Sequence, residues 1–425
     1  MGPAYSLAST MGPVIIAAGY AAPLAVGVLS AVMLCIAISF AYLSRVAPNA
    51  GSSYSWIGMA FGRRMGAYGA WLLLLSNFFA TMAIAVPAGI YTLALVAPAH
   101  EQDPVWAACV GAVWIVASAV LLYLGMRPTA HVTLIALGFE IGVLLLAAVA
   151  AAFHAPVPAH VTKDSVALPA SFGFAGFVTA MTLAVWMSDG WEVSASTSEE
   201  VEDSAEAAGR GGIAGLVIST LVLVVCMYAF QHLGSLQGFA DNQADALAYV
   251  GTLLGSPIWR YAIVVTVLLS TLSTLWTTVL YLTRSVFAMG RDGVLPGGLG
   301  RLDARDEPLW SMVVVTVLVT LCELVTGFSK SAANQLQLVL NASSVFLGLL
   351  FVLSAAAAAK RFWGEPAARL GGVLVPFAGA LALLGVLVAT VAYEDRILQW
   401  YACAGVLVGI PFALWRGRRL RGQSP

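Results

Sequence analysis

The sequence predicts an all-α membrane protein of about twelve transmembrane helices, and three observations carry that prediction. Of 425 residues, 60% are hydrophobic and only 10% are charged, with a mean hydropathy of +0.90, whereas soluble chains carry roughly a quarter charged residues. Apolar runs near or above the roughly 20 residues that cross the hydrocarbon recur along the whole chain. The basic residues fall very unequally into alternate gaps between those runs. Backbone groups in lipid have no water to bond, so the runs must be helices.

Twelve runs fall at 2–21, 23–45, 66–98, 105–125, 131–153, 172–198, 211–233, 257–290, 309–328, 334–359, 370–391 and 397–415. Several are long enough to tilt or to contain a break. With the N-terminus cytoplasmic and the spans alternating, sixteen of the 20 Lys and Arg lie on the cytoplasmic side, and only Lys163, Arg260, Lys330 and Arg396 on the other. The positive-inside rule then puts both termini in the cytoplasm, and the expected location is the cell (inner) membrane. An acidic stretch after span six, Glu199, Glu200, Glu202, Asp203 and Glu206, does not overturn this, because acidic residues contribute little to orientation. It reads as a solvated loop.

The five cysteines (Cys35, Cys109, Cys226, Cys322, Cys403) all fall in apolar spans without metal-ligand spacing and read as small core residues. No metal site or cofactor is expected. The first span has no basic region before it and is not expected to be a removable signal. A net charge of -1 with no basic domain leaves nucleic acid out as a partner; the expected partners are the lipid bilayer and a small solute.

A carboxyl at membrane depth is costly, at roughly 2.5 to 3.5 kcal/mol on insertion scales, so acids inside spans are candidates for function. Four occur: Glu140, Asp189, Glu192 and Glu323. Glu323 sits near the end of span nine and is expected to reach the interface. Asp189 and Glu192 belong to Trp186-Met187-Ser188-Asp189-Gly190-Trp191-Glu192, a polar, glycine-containing interruption of span six. A discontinuous helix at this depth can offer backbone groups to both ends of a zwitterion; a Gly packed on a neighbour, with acids satisfied by other helices, is the plainer reading. Span one offers a partner for the break, since Met1-Gly2-Pro3 opens it, with Ser6 a turn later and Ala8-Ser9-Thr10 following, as Ala195-Ser196-Thr197 follows Gly190. Paired interruptions in two halves point to a transporter site. Spans one to five (1–153) and six to ten (172–359) suit two repeats, with two additional helices at 370–415. Nothing precedes Met1, so the first helix is expected to be truncated at its N-terminus.

Polar groups on other spans complete the candidate set. Ser273 and Thr274 in span eight can bind an ion or substrate, or simply bond their own backbone. Asn77 and Thr81 share one face of span three. Trp186 and Trp276 fit either a lid over a site or a core aromatic.

Three irregular segments then carry a resemblance. Pro48-Asn49-Ala50-Gly51-Ser52-Ser53-Tyr54, Ala288-Met289-Gly290-Arg291-Asp292-Gly293-Val294-Leu295-Pro296, and the stretch from Trp186 through Glu200 with its Glu199-Glu200 pair resemble signatures of the amino acid/polyamine/organocation (APC) transporter superfamily. The resemblance covers nearly the whole chain. It implies a LeuT-type fold of five plus five helices in inverted repeat, a carrier of amino acids or related amines working by alternating access, and proton coupling or exchange. It further implies a substrate site between helices one, three, six, eight and ten, where the candidate residues Gly2, Pro3, Ser6, Asn77, Trp186, Ser188, Asp189, Gly190 and Trp276 fall; the first helix begins at or after the superfamily's glycine-rich break, so the carboxylate site does not carry over intact. In antiporters of that superfamily Trp186 matches a gating tryptophan and Glu192 an acidic residue linked to pH response. The frame Gly125, Arg127, Ala130, His131 resembles the one preceding a lysine in proton-coupled relatives, which puts Glu140 at the lysine position, facing Ser273 and Thr274 of span eight. The acidic loop departs from the superfamily, where basic residues are usual.

An enzyme would need a nucleophile, base and oxyanion arrangement or a metal cluster, and neither is visible. No GxxxxGK[ST] phosphate loop occurs, so ATP is not the direct energy source. A passive channel and a transport-inactive, sensor-like relative are the alternatives to a permease.

Overall fold

The computed structural model describes residues 2–153, 173–196, 198, 204–393 and 396–419, and no strand occurs among them. In chain order the helices are α1 (Pro3–Ala18), α2 (Ala22–Val46), α3 (Ser53–Phe61), α4 (Arg63–Val96), α5 (Pro104–Tyr123), α6 (Met126–Phe153), α7 (Phe174–Met187), α8 (Val193–Ser196), α9 (Ser204–Gln231), α10 (Leu236–Asp241), α11 (Ala246–Leu253), α12 (Pro257–Arg291), α13 (Leu309–Thr326), α14 (Ala332–Phe362), α15 (Val375–Tyr393) and α16 (Arg396–Arg419). Their starts follow local chemistry. Pro3, Pro104 and Pro257 open helices where the missing N–H costs nothing, and Asp103 caps α5 by accepting the Val105 N–H at 2.9 Å.

Each expected span overlaps helical structure among the described residues, span six on both sides of an interruption. Among the described residues nine stretches are long and apolar enough to cross a bilayer, with Pro3–Val46 counting as one of 44 residues, and Phe174–Met187 and Cys403–Arg416 are shorter apolar helices. The apolar window is 72% buried in Arg63–Val96 and 78% in Ala342–Phe362, against 28% in Leu309–Thr326 and 33% in His131–Phe153. Helices α4 and α14 therefore form the interior, and α6 and α13 lie on the perimeter. That perimeter displays Leu134, Ile135, Leu146, Leu318 and Leu321, a surface suited to acyl chains and unsuited to water. The chain is a multi-pass membrane protein by these features.

The short helices α3, α10 and α11 lie between the expected spans. Ser235 and Asp245 cap α10 and α11 through the N–H groups of Gly238 and Ala248. These two helices and the 3₁₀ turn Gln243–Asp245 pack over α1. The loop carrying His154, His160 and Lys163, and the acidic positions Glu199, Glu200, Glu202 and Asp203, lie outside the described residues, and the side chain of Glu206 does as well.

Helices approach where a side chain is missing. A Cβ on Gly66 would sit 2.8 Å from the Gly58 Cα, so the hairpin of α3 and α4 closes on two glycines across Gly62, whose φ of 90° admits the turn. Gly66→Leu is expected to destabilise the protein by about 1–3 kcal/mol through overpacking, seen as a lower melting temperature in detergent. Gly138→Leu is the control: no atom lies within 4 Å of a Cβ there, and its melting temperature should not fall.

Candidate functional site

Helix α7 stops at Met187 and the chain resumes helical structure only at Val193. Gly190 explains the stop, since its φ of 99° is one that side chains rarely adopt. Its N–H is taken twice, by Asp189 Oδ1 at 2.7 Å and Glu192 Oε2 at 3.0 Å. Two carboxyl groups aimed at one N–H repel each other unless a cation or a proton shares the site. Glu192 is buried and Asp189 partly so.

The break opens onto a cavity walled by four elements. Gly2, Tyr5 and Ser6 come from α1, Asn77, Ala80 and Ile84 from α4, Thr274, Thr277 and Thr278 from α12, and Trp186, Asp189, Gly190, Glu192 and Val193 from the break and its flanks. Its free volume is about 40 Å³, room for about one water, against the roughly 300–1,000 Å³ of ligand pockets. The walls are therefore drawn together in this structure.

Eight of the residues singled out from sequence line this cavity: Gly2, Ser6, Asn77, Trp186, Asp189, Gly190, Glu192 and Thr274. Five stand elsewhere. Pro3 is buried as the first residue of α1. Ser188 shares a 2.9 Å hydrogen bond with Ser30 of α2. Ser273 donates to the Ser270 carbonyl at 2.9 Å and does not line the cavity. Trp276 donates to Thr133 of α6 at 2.7 Å. Helical spacing accounts for the difference, because 274, 277 and 278 share a face while 276 lies 200° around from 274.

Glu140 is 1% exposed. It lies beside the Ser270 hydroxyl, one turn from the Ser273 and Thr274 pair that the superfamily frame suggests. The same Ser270 oxygen accepts the Tyr5 N–H at 3.1 Å, so Glu140 stands behind the cavity wall. Glu323 corrects an expectation: it is 0% exposed and does not reach the interface. It continues the buried stripe of Met312, Val315 and Val319, and Gly111 of α5 leaves room for its carboxyl, since a Cβ there would stand 2.9 Å from Glu323 Oε1.

Tyr5, Thr277 and Thr278 were not among the sequence candidates. The two threonines were within reach of sequence reasoning, at three and four residues from Thr274. Nothing local to α1 marks Tyr5. Its hydroxyl donates to the Ala83 carbonyl of α4 at 2.9 Å, and its ring meets Trp186 edge-on with centroids 6.4 Å apart.

Polar groups gather at the two ends of the bundle. At the C-terminal end of α12, Tyr54 donates to Asp292 Oδ2 at 2.9 Å, joining two of the three signature segments. Burial and then the Asp292 charge push the Tyr54 hydroxyl well above its usual range, so it remains a donor. At the other end Asp245 faces Tyr91, with Glu101 and Arg260 close enough to act on it. Burial pushes the Asp245 carboxyl up to about 6, although Tyr91, the Ala248 N–H and Arg260 oppose it and Glu101 adds to it.

Comparison with known proteins gives a consistent grouping. The sequence pattern of the amino acid permease family matches residues 1–410. A branched-chain amino acid permease of Lactococcus lactis is 24% identical over 308 residues, 67% of this chain and 64% of that protein. One of Bacillus subtilis is 26% identical over 309 residues, 65% of this chain and 62% of that protein. An uncharacterized transporter of Legionella pneumophila is 25% identical over 344 residues, 78% and 72% of the two chains. The chain spans less than two thirds of the length of the two branched-chain permeases.

The raised Asp245 gives a pH prediction. The folded protein holds this proton more tightly than the unfolded chain, whose Asp titrates near 4, so the folded state binds more protons between about pH 4 and 6 and stability falls as pH rises through that window. Asp245→Asn should flatten that decline in a series of melting temperatures from pH 4 to 7.5.

Proposed function

Because the chain belongs to the amino acid permease family, we propose that it carries an amino acid with an apolar side chain across the bilayer, through the cavity between α1, α4, α12 and the α7–α8 break. The observation that carries this reading is the break itself: irregular backbone at membrane depth is tolerated only against protein or a watery cavity, and here it opens on a cavity with Asp189 and Glu192 in its wall. The substrate ammonium is the cation that the carboxyl pair calls for. Ala80, Ile84, Val193 and the Trp186 ring suit an aliphatic side chain, in line with the branched-chain permeases among the relatives.

The small free volume supports alternating access, because a cavity too small for an amino acid must widen toward one side and then the other to load and release it. Residues 1–153 and 172–359 are the two repeats of a LeuT-type fold in this reading, and 370–415 the added helices. The two termini and the basic loops face the cytoplasm, as the distribution of Lys and Arg favours. Glu140 is the proton-coupling residue in this reading, since it is a buried acid within α6 beside the Ser270 hydroxyl, which accepts the Tyr5 N–H of α1. A proton moving on and off Glu140 would change how it engages Ser270 and hence α1.

Leucine uptake by proteoliposomes tests the transport reading. Saturable, counterflow-competent uptake is expected, and Gly190→Leu should abolish it while the protein still purifies as a single species; wild-type kinetics in that variant would refute the placement of the site. Glu140→Gln keeps shape while fixing the charge, and uptake by this variant should lose its pH dependence. An unchanged pH profile would move the coupling to Glu192.

A further inference from the structure

Helix α4 contains Pro87. A proline has no N–H, so the carbonyl four residues earlier loses its helical partner and the ring presses it outward. That carbonyl belongs to Ala83, and the Tyr5 hydroxyl donates to it at 2.9 Å. Both residues are buried, Tyr5 at 2% exposure and Ala83 at 0%. The hydrogen bond spans two helices that wall the cavity, and the rest of Tyr5 is equally engaged. Its N–H reaches Ser270 of α12 at 3.1 Å, its carbonyl accepts from Ser9 at 3.0 Å, and its ring abuts Trp186 at the end of α7.

We infer that Tyr5 is a positioning residue of the transport cavity, a latch that holds α1 against α4 through the carbonyl that Pro87 leaves free. It rests on the reading of this cavity as the amino-acid site. The argument is one of supply and demand in hydrocarbon. An unpartnered carbonyl at this depth costs about as much as a lost hydrogen bond, and a buried tyrosine hydroxyl also needs a partner. Each is the other's solution only while α1 lies against α4. When the cavity widens between these helices, both groups must find water or a solute, and entry of either becomes the condition for opening. Pro87 thus acts on the cavity from a place its own side chain does not occupy, since it is not among the lining residues.

The test needs a readout of cavity opening that does not depend on transport. A single cysteine at Ala80, in a chain whose five native cysteines are replaced, reports the cavity to a membrane-impermeant maleimide. Tyr5→Phe removes only the hydroxyl, and Pro87→Ala returns an N–H to compete for the Ala83 carbonyl. Each should raise the labelling rate about fivefold, the factor that one net hydrogen bond contributes to an opening equilibrium. The double variant should label no faster than either single, because both remove the same bond. Unchanged labelling in Tyr5→Phe, or a double variant in which the two effects multiply, overturns the latch. If Pro87→Ala does not yield a single folded species, Pro87→Ser supplies the competing N–H in its place. Leucine uptake measured on the same proteins separates the two ideas: no uptake by the wild type would sink the transport reading, while the labelling cycle would still decide the latch.

Discussion

A backbone N–H or C=O inside a bilayer must find its partner within the protein, because hydrocarbon offers none. Regular helix meets that demand for nearly every described residue, which is why the chain contains so little else. The departures are correspondingly informative. Between Met187 and Val193 the helix gives way, and the Gly190 N–H is satisfied by two side chains rather than by a carbonyl. At Pro87 the ladder of α4 loses one donor, and Tyr5 of another helix replaces it. The first departure opens on the cavity, and the second reaches it through Tyr5, which lines the wall.

Packing around that cavity depends on small residues. Glycines and alanines on α1, α3 and α4 bring helices into contact that larger side chains would forbid, as the Gly58 and Gly66 pair shows. At the cavity the same economy appears at Gly2, where a Cβ would overlap the Ser270 and Thr274 hydroxyls of α12. Without a hydrophobic drive between helices in lipid, close van der Waals contact and a few interhelical hydrogen bonds hold the bundle. Those hydrogen bonds, Tyr5 to Ala83, Ser188 to Ser30, Ser343 to Ser76 and Tyr54 to Asp292, join elements far apart in sequence. None of them is strong alone, and a bundle held in this way can shift between arrangements at modest cost.

The buried acids divide by their surroundings. Asp189 and Glu192 share an N–H at the cavity wall, Glu140 stands one hydroxyl behind it, and Glu323 is set into the interface of α13 with α5. The first two can meet a solute directly. Glu140 does not line the cavity and lies beside Ser270, and Glu323 faces neither the cavity nor the membrane surface. Four acids with similar sequence credentials thus have distinct roles open to them, decided by which helix face each occupies.

Composition and run length determined the membrane class and where apolar helices fall, because the cost of polar groups in lipid acts on each run independently of its neighbours. The break at Gly190 was legible for the same reason: a polar, glycine-bearing interruption conflicts locally with a helix in hydrocarbon. The irregular segments around Tyr54 and Asp292 carried the family. Tertiary structure alone decided which faces met. It turned Trp276 to Thr133 and Ser188 to Ser30, away from the cavity, and set Glu323 in the interior instead of at the interface. It also brought Tyr5 to a carbonyl 78 residues away. The rotation of a helix about its axis is fixed by the partners it packs against, and a nearly uniform apolar sequence records that rotation only faintly.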